Sequence, residues 1–199
     1  MAHSETNNLV KPGQQVLSPS SLCHVVLRTS NYKDMIDFYT AFLGGYVVHG
    51  NSFISFITYD EEYHRIAIIN VPETAPKQMK SCGLEHIAFG FSNMHDLLFS
   101  YQQRKERGIE PVWRVNHGPT TSIYYRDPDR NMLETQIDNF DTFEATNDFM
   151  TSPAFEENPI GVDFNVEELV QRLQGGEGDA SLKKRPEIGP RAAPDLDAM

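Results

Sequence analysis

The stretch Val115-Asn-His117-Gly-Pro-Thr-Thr-Ser-Ile-Tyr124-Tyr-Arg-Asp127-Pro128-Asp-Arg130-Asn-Met-Leu-Glu134 holds a histidine, a tyrosine and a carboxylate at set distances on what read as two strands joined at Asp127-Pro128. Successive side chains of a strand point to opposite faces. Met132, Glu134 and Gln136 therefore share one face, and Leu133, Thr135 and Ile137 the other. A carboxylate in mid-strand is costly to bury unless something positive meets it. A metal ion is the economical answer, and the chain has histidines with which to complete its coordination.

The elements that must carry those histidines form an internal repeat. Leu22-Cys-His24-Val-Val-Leu-Arg-Thr-Ser30-Asn31-Tyr-Lys-Asp34-Met-Ile-Asp-Phe-Tyr39 aligns without gaps on Leu84-Glu-His86-Ile-Ala-Phe-Gly-Phe-Ser92-Asn93-Met-His-Asp96-Leu-Leu-Phe-Ser-Tyr101. Leu, His, Ser, Asn, Asp and Tyr recur in register. Each copy reads as an apolar strand, a Ser-Asn helix entry and an amphipathic helix. The helical stripes are Met35, Phe38, Tyr39, Phe42 and Met94, Leu97, Leu98, Tyr101, with Gly44-Gly45 and Gly108 as stops. Three candidate strands follow each helix, near 46–48, 52–59 and 64–71, then near 110–115, 121–126 and 132–137.

The expected fold is thus α+β: two tandem βαβββ modules forming one curved mixed sheet, a cup with helices outside, plus a C-terminal extension. His24, Val26 and Arg28 lie on one face of the first strand, and His86, Ala88 and Gly90 on that of its counterpart. The opposite sets, Cys23, Val25, Leu27 and Ile87, Phe89, Phe91, should meet the helices. A second alignment, Asp60–Ala67 on Asp127–Glu134, pairs Glu134 with Ala67, so the concave surface holds one protein donor set: His24, His86 and Glu134. Two imidazoles and a carboxylate form a facial triad suited to Fe(II) or Mn(II), with positions left open. His64 and His117 are placed to overlook those positions.

The boundaries expected are an N-terminal arm (1–20), a first module (21–72), a linker (73–82), a second module (83–138), an extension with a short helix (139–174) and a disordered tail (175–199). Asn165 and Glu168 mark the N-cap and third position of that helix. For the phenylalanine-bearing extension, surface packing or subunit contact is favoured over a lid. The formal charge of −11 disfavours nucleic acid and anionic membranes as partners. No apolar run spans a bilayer, the N-terminus lacks a signal-peptide pattern, and two cysteines make no disulfide framework. A cytoplasmic location is expected, and a homo-oligomer is compatible with the composition.

These modules and residues resemble the vicinal oxygen chelate superfamily, which includes glyoxalases, bleomycin-resistance proteins and extradiol dioxygenases. The stretch from Val115 to Glu134 is similar to the extradiol signature, with His117, Ile123-Tyr124, Asp127-Pro128 and Glu134 in its places. Arg130 departs from it, standing where the family usually has Gly or Pro. Glu62-Tyr-His64-Arg-Ile-Ala67 resembles the segment carrying the family's acid/base histidine. The resemblance implies Fe(II) on His24, His86 and Glu134, a small aromatic diol chelating it through two oxygens, and dioxygen as co-substrate. It implies His64 as acid/base, and Tyr124 and His117 as hydrogen-bond donors to the charge that develops. Ring cleavage by a non-haem Fe(II) extradiol-type dioxygenase is the function expected. A metal-dependent isomerase, lyase or transferase on the same scaffold would turn over without oxygen. A small-aromatic binding protein would need no such donor set.

Overall fold

The computed structural model describes residues 16–195; residues 1–15 of the expected arm and 196–199 of the expected tail lie outside them. The first module runs β1 (Val25–Thr29), α1 (Tyr32–Leu43), β2 (Tyr46–Gly50), β3 (Ile54–Thr58) and β4 (Ile66–Asn70). The second repeats the order with β5 (His86–Gly90), α2 (Met94–Lys105), β6 (Trp113–Asn116), β7 (Thr120–Arg126) and β8 (Met132–Asp138). At the entry of α2 Asn93 accepts from the Asp96 amide. At that of α1 the Thr29 hydroxyl accepts from the Asn31 amide, and the Asn31 side chain makes no cap.

The α+β expectation of two βαβββ modules holds. Hydrogen bonding, however, divides the curved surface into two open sheets, ordered β1-β4-β3-β2 and β5-β8-β7-β6-β9. In each, the first strand pairs in parallel with the last of its module. Val26 lies opposite Ala67 just as Ala88 lies opposite Glu134. The repeat alignment that matched Glu134 with Ala67 is therefore a spatial equivalence.

One core serves both modules. It gathers Met35, Tyr39 and Phe42 of α1, Leu97, Leu98 and Tyr101 of α2, and the inward faces of both sheets, among them Ile57, Ile66 and Ile68 with Ile123, Leu133 and Ile137. Val25, Leu27 and Phe89 pack on it, as alternation required. Buried Arg104 seals the seam, donating from Nε to the Phe42 carbonyl and lying over the Phe42 ring. Because the helices and the apolar face of each sheet share this core, the opposite faces, bearing His24 and Glu134, turn away from it.

The C-terminal extension is ordered around the second sheet. It comprises α3 (Phe143–Met150), α4 (Pro153–Glu157), β9 (Val162–Asp163), α5 (Val166–Gln174) and α6 (Asp179–Leu182). Asn165 caps α5 by accepting from the Glu167 amide. The stretch from residue 175, expected without structure, is instead laid down by α6 and anchored by two arginines. Arg185 is buried and donates to the carbonyls of Ala154, Asn158 and His117. Arg191 pairs with Asp163 at 2.6 Å.

Candidate metal and substrate site

The second sheet builds most of the site. Glu134, in the centre of β8, is 4% exposed, and its Oε2 lies 3.0 Å from His86 Nε2 on neighbouring β5. Burial alone would raise the Glu134 carboxyl, but hydrogen bonds from His86, Ser122 and Tyr124 outweigh it and hold the group below its ordinary range. The same contact with Glu134 raises His86 against the lowering effect of burial. An ionised carboxylate with an imidazole already against it presents two metal donors side by side.

Tyr124 stands directly across from Glu134 in the β7–β8 register. Burial first, and then the Glu134 charge, push its phenol well above the ordinary range, so the hydroxyl keeps its proton. That hydroxyl lies 3.0 Å from His117 Nε2, while His117 Nδ1 lies 2.5 Å from the Ile160 carbonyl. A carbonyl only accepts, so Nδ1 carries the imidazole proton, and Nε2 and the Glu134 carboxylate are alternative acceptors for the single Tyr124 hydroxyl proton. Burial lowers His117, keeping it neutral. Trp113 stacks on Tyr124 with ring centroids 4.9 Å apart and donates through Nε1 to Asp163 at 2.7 Å.

The extension thus forms one wall of this half-site. Two glycines permit its close approach. A Cβ on Gly161 would come 2.2 Å from the Asn116 carbonyl, and one on Gly118 would strike the Phe149 ring at 2.2 Å. Both have positive φ, 102° and 104°. Ser122, Trp113 and the Ile160 carbonyl were absent from the sequence reading. Ser122 was within reach of it, since it alternates with Tyr124 on one strand face; the contribution of Ile160 carried no local signal. Asp127, read as a plain turn residue, is 4% exposed, accepting from the amides of Asp129 and Asn131 and from the Tyr39 hydroxyl.

The first sheet supplies a second group. His24 immediately precedes β1, and its ring lies 4.3 Å from that of His64. His64 is 5% exposed and enclosed by Phe56 and Tyr63, at 4.8 and 4.5 Å. Burial, then the neighbouring His24, lower its pKa. Its Nδ1 is buried without a hydrogen-bond partner. Such an atom is expensive unless something absent from the chain meets it.

The four histidines read as overlooking one cup therefore occur as two pairs, His24 with His64 and His86 with His117 beyond Tyr124. Among the described residues no three His, Cys, Asp or Glu side chains come close enough together to hold a metal ion. By chemistry the donor set fits Fe(II) or Mn(II). By position within one chain, His86 and Glu134 fit together and His24 stands apart.

The family model described as Glyoxalase/Bleomycin resistance protein/Dioxygenase superfamily matches residues 21–135, and the chain belongs to that superfamily. Within it, the chain is 42% identical over 154 residues to biphenyl-2,3-diol 1,2-dioxygenase 2 of Rhodococcus globerulus, covering 77% of this chain and 81% of that one. It is 41% identical over 169 residues to biphenyl-2,3-diol 1,2-dioxygenase 3 of the same organism, covering 82% and 87%. Among solved structures, a glyoxylase/bleomycin resistance protein/dioxygenase domain from Frankia sp. EAN1pec superposes with a TM-score of 0.51. At 19% identity, and covering 61% of this chain and 93% of that one, it supports the fold alone. Among the described residues no helix is long and apolar enough to cross a membrane.

Proposed function

We propose that this chain, an extradiol-type ring-cleaving dioxygenase by kinship, opens a catecholic ring with dioxygen, using Fe(II) on His24, His86 and Glu134, with Mn(II) as the alternative. The observation that carries the reading is the buried Glu134 carboxylate, 3.0 Å from His86 and bonded to Tyr124. Bound iron would supply the Lewis acidity and electron transfer that let a diol and dioxygen react.

The remaining chemistry belongs to the chain's own side chains. Glu134 is held ionised, so it costs no proton to become a ligand; His86 must surrender the proton that Glu134 favours. Tyr124 keeps its proton and offers it where negative charge builds on substrate oxygen. His117, fixed by Ile160, holds the Tyr124 hydroxyl in place. His64 is neutral at working pH, with an open Nδ1 able to take a proton from a substrate hydroxyl. The substrate class is a small aromatic diol, and the place of work the cytoplasm.

The test is an oxygen electrode with anaerobically purified, Fe(II)-loaded protein, given catechol, 3-methylcatechol and biphenyl-2,3-diol. Oxygen uptake with a yellow ring-opened product is expected. His64→Ala should keep its iron and lose at least ~100-fold in turnover. Bound iron with no oxygen uptake on any diol would overturn ring cleavage in favour of a non-oxidative metal enzyme of the same superfamily.

A further inference from the structure

Trp113 touches both rings of the hydroxyl-bearing pair. Its indole lies over the Tyr124 ring, 26° from parallel with centroids 4.9 Å apart, and meets the His117 ring nearly at right angles at 5.5 Å. The stack follows from register, since Trp113 stands opposite Tyr124 on the neighbouring strand. The Tyr124 hydroxyl lies 3.0 Å from His117 Nε2 and bonds Glu134. A phenol held only at its hydroxyl can still swing about that point. What fixes the plane of the Tyr124 ring is the surface on which it lies, and that surface is the indole.

The indole is in turn pinned at one point. Trp113 is buried, its Nε1–H needs an acceptor, and Asp163 Oδ1 provides it at 2.7 Å. Asp163 stands opposite Val115, which shares a strand face with Trp113, so its short side chain reaches the indole diagonally. Oδ2 accepts from Arg191 Nη2 at 2.6 Å, and Arg191 Nη1 donates to the Gly161 carbonyl at 3.2 Å. The Asp163 side chain is half open to solvent, so packing does not call for a carboxylate there. Among the described residues it hydrogen-bonds through its side chain to Trp113 and Arg191 alone.

We propose that Asp163 is a positioning residue for ring cleavage: through the Trp113 Nε1–H it fixes the indole on which Tyr124 lies, and so the point at which the Tyr124 hydroxyl meets substrate oxygen. The inference rests on the proposed function for the reaction it serves. Asp163 acts on the placing of a proton donor and touches none of His24, His86 and Glu134. Its loss therefore falls on turnover and leaves iron and diol binding as they are. A donor misplaced by about 1 Å can cost ~100-fold in rate. A tilted ring whose hydroxyl keeps its partners should cost less, about 10-fold.

The experiment is a double-mutant cycle on the Fe(II)-loaded protein, with the diol that the wild type cleaves fastest, read as iron content, KM and kcat. Asp163→Ala should lower kcat about 10-fold, with iron content and KM within about twofold of wild type. Trp113→Phe keeps a ring under Tyr124 and loses the N–H. In that background Asp163→Ala should cost nothing further, because its only route to the site is already cut. Asp163→Asn keeps an acceptor for the buried indole, while Arg191 retains the Gly161 carbonyl, so kcat should stay within about twofold of wild type. A wild-type kcat in Asp163→Ala would overturn the proposal, as would the same loss in both backgrounds. Lost iron or a tenfold higher KM in Asp163→Ala would show a structural role and overturn it too, as would an Asn variant as slow as the Ala variant. A wild type that takes up no oxygen with any diol would overturn the proposed function, and this proposal with it.

Discussion

The two modules begin from the same pattern and end as different surfaces. On the first sheet the position opposite Val26 is Ala67, and the strand at the far edge, β2, lies open to solvent. On the second the equivalent position is Glu134, and the far edge is extended by β9 from the C-terminal segment. The buried carboxylate accounts for much of this divergence. A charge in mid-sheet needs donors, and Ser122, Tyr124 and His86 supply them. Their own positions then need fixing, which the extension does through Ile160 to His117 and Asp163 to Trp113. Without a carboxylate, the first sheet needs no such support.

If the extension is what separates the modules, releasing it should make the second resemble the first. Arg185 is the place to cut: buried, bonded to three carbonyls, with its guanidinium 5.0 Å over the Phe149 ring. Arg185→Ala should cost roughly 3 kcal/mol, in line with several charge-assisted bonds lost together. Trp113 is the only tryptophan, now 8% exposed, so its emission should shift to the red as the wall loosens. Loss of stability with unchanged Trp113 emission would mean that the extension is held independently of Arg185.

A smaller effect separates the histidines by pH. His64 and His117 are lowered in the folded protein, so below the ordinary imidazole pKa of about 6.5 the unfolded chain binds protons that the folded one refuses. Both therefore withdraw stability as the pH falls through that range. His86 is raised and acts oppositely, adding stability as the pH falls and losing it as the pH rises. In metal-free protein, His64→Gln should flatten the fall of stability between pH 7 and 5 by roughly half a proton, read from urea midpoints at several pH values. An unchanged slope would mean that His64 is protonated as readily in the folded chain as in the unfolded one.

The parts that were legible in the sequence are those governed by short periods. Alternation placed Val25, Leu27 and Phe89 inward, and the aligned repeat found the equivalence of Ala67 and Glu134. Which faces of two modules share a core is a different matter. The same apolar residues on helices and strands would serve a closed cup or the shared core seen here, and only tertiary packing chooses. The order in the residues after Gly175 is hidden for another reason. Gly, Pro and charge dominate their composition, and the segment is held by isolated anchors, Arg185 and Arg191, that leave no periodic trace.

The finest difference between the modules lies in the turns that precede β4 and β8. Asp60 and Asp127 begin them equivalently, each accepting the backbone amide two residues on, from Glu62 and Asp129. Among the described residues Arg130 is the only non-glycine with positive φ, at 67°, whereas the first module's turn has none. A Cβ in that conformation costs about 1–2 kcal/mol. Arg130→Gly removes that cost and returns part of it as unfolded-chain entropy, about 0.4–1 kcal/mol. The net gain should be about 0.5 kcal/mol, a rise in Tm of roughly 1–2 °C, with ring-cleaving activity unchanged. A fall in Tm would mean that the arginine side chain contributes more to this turn than its backbone strain removes.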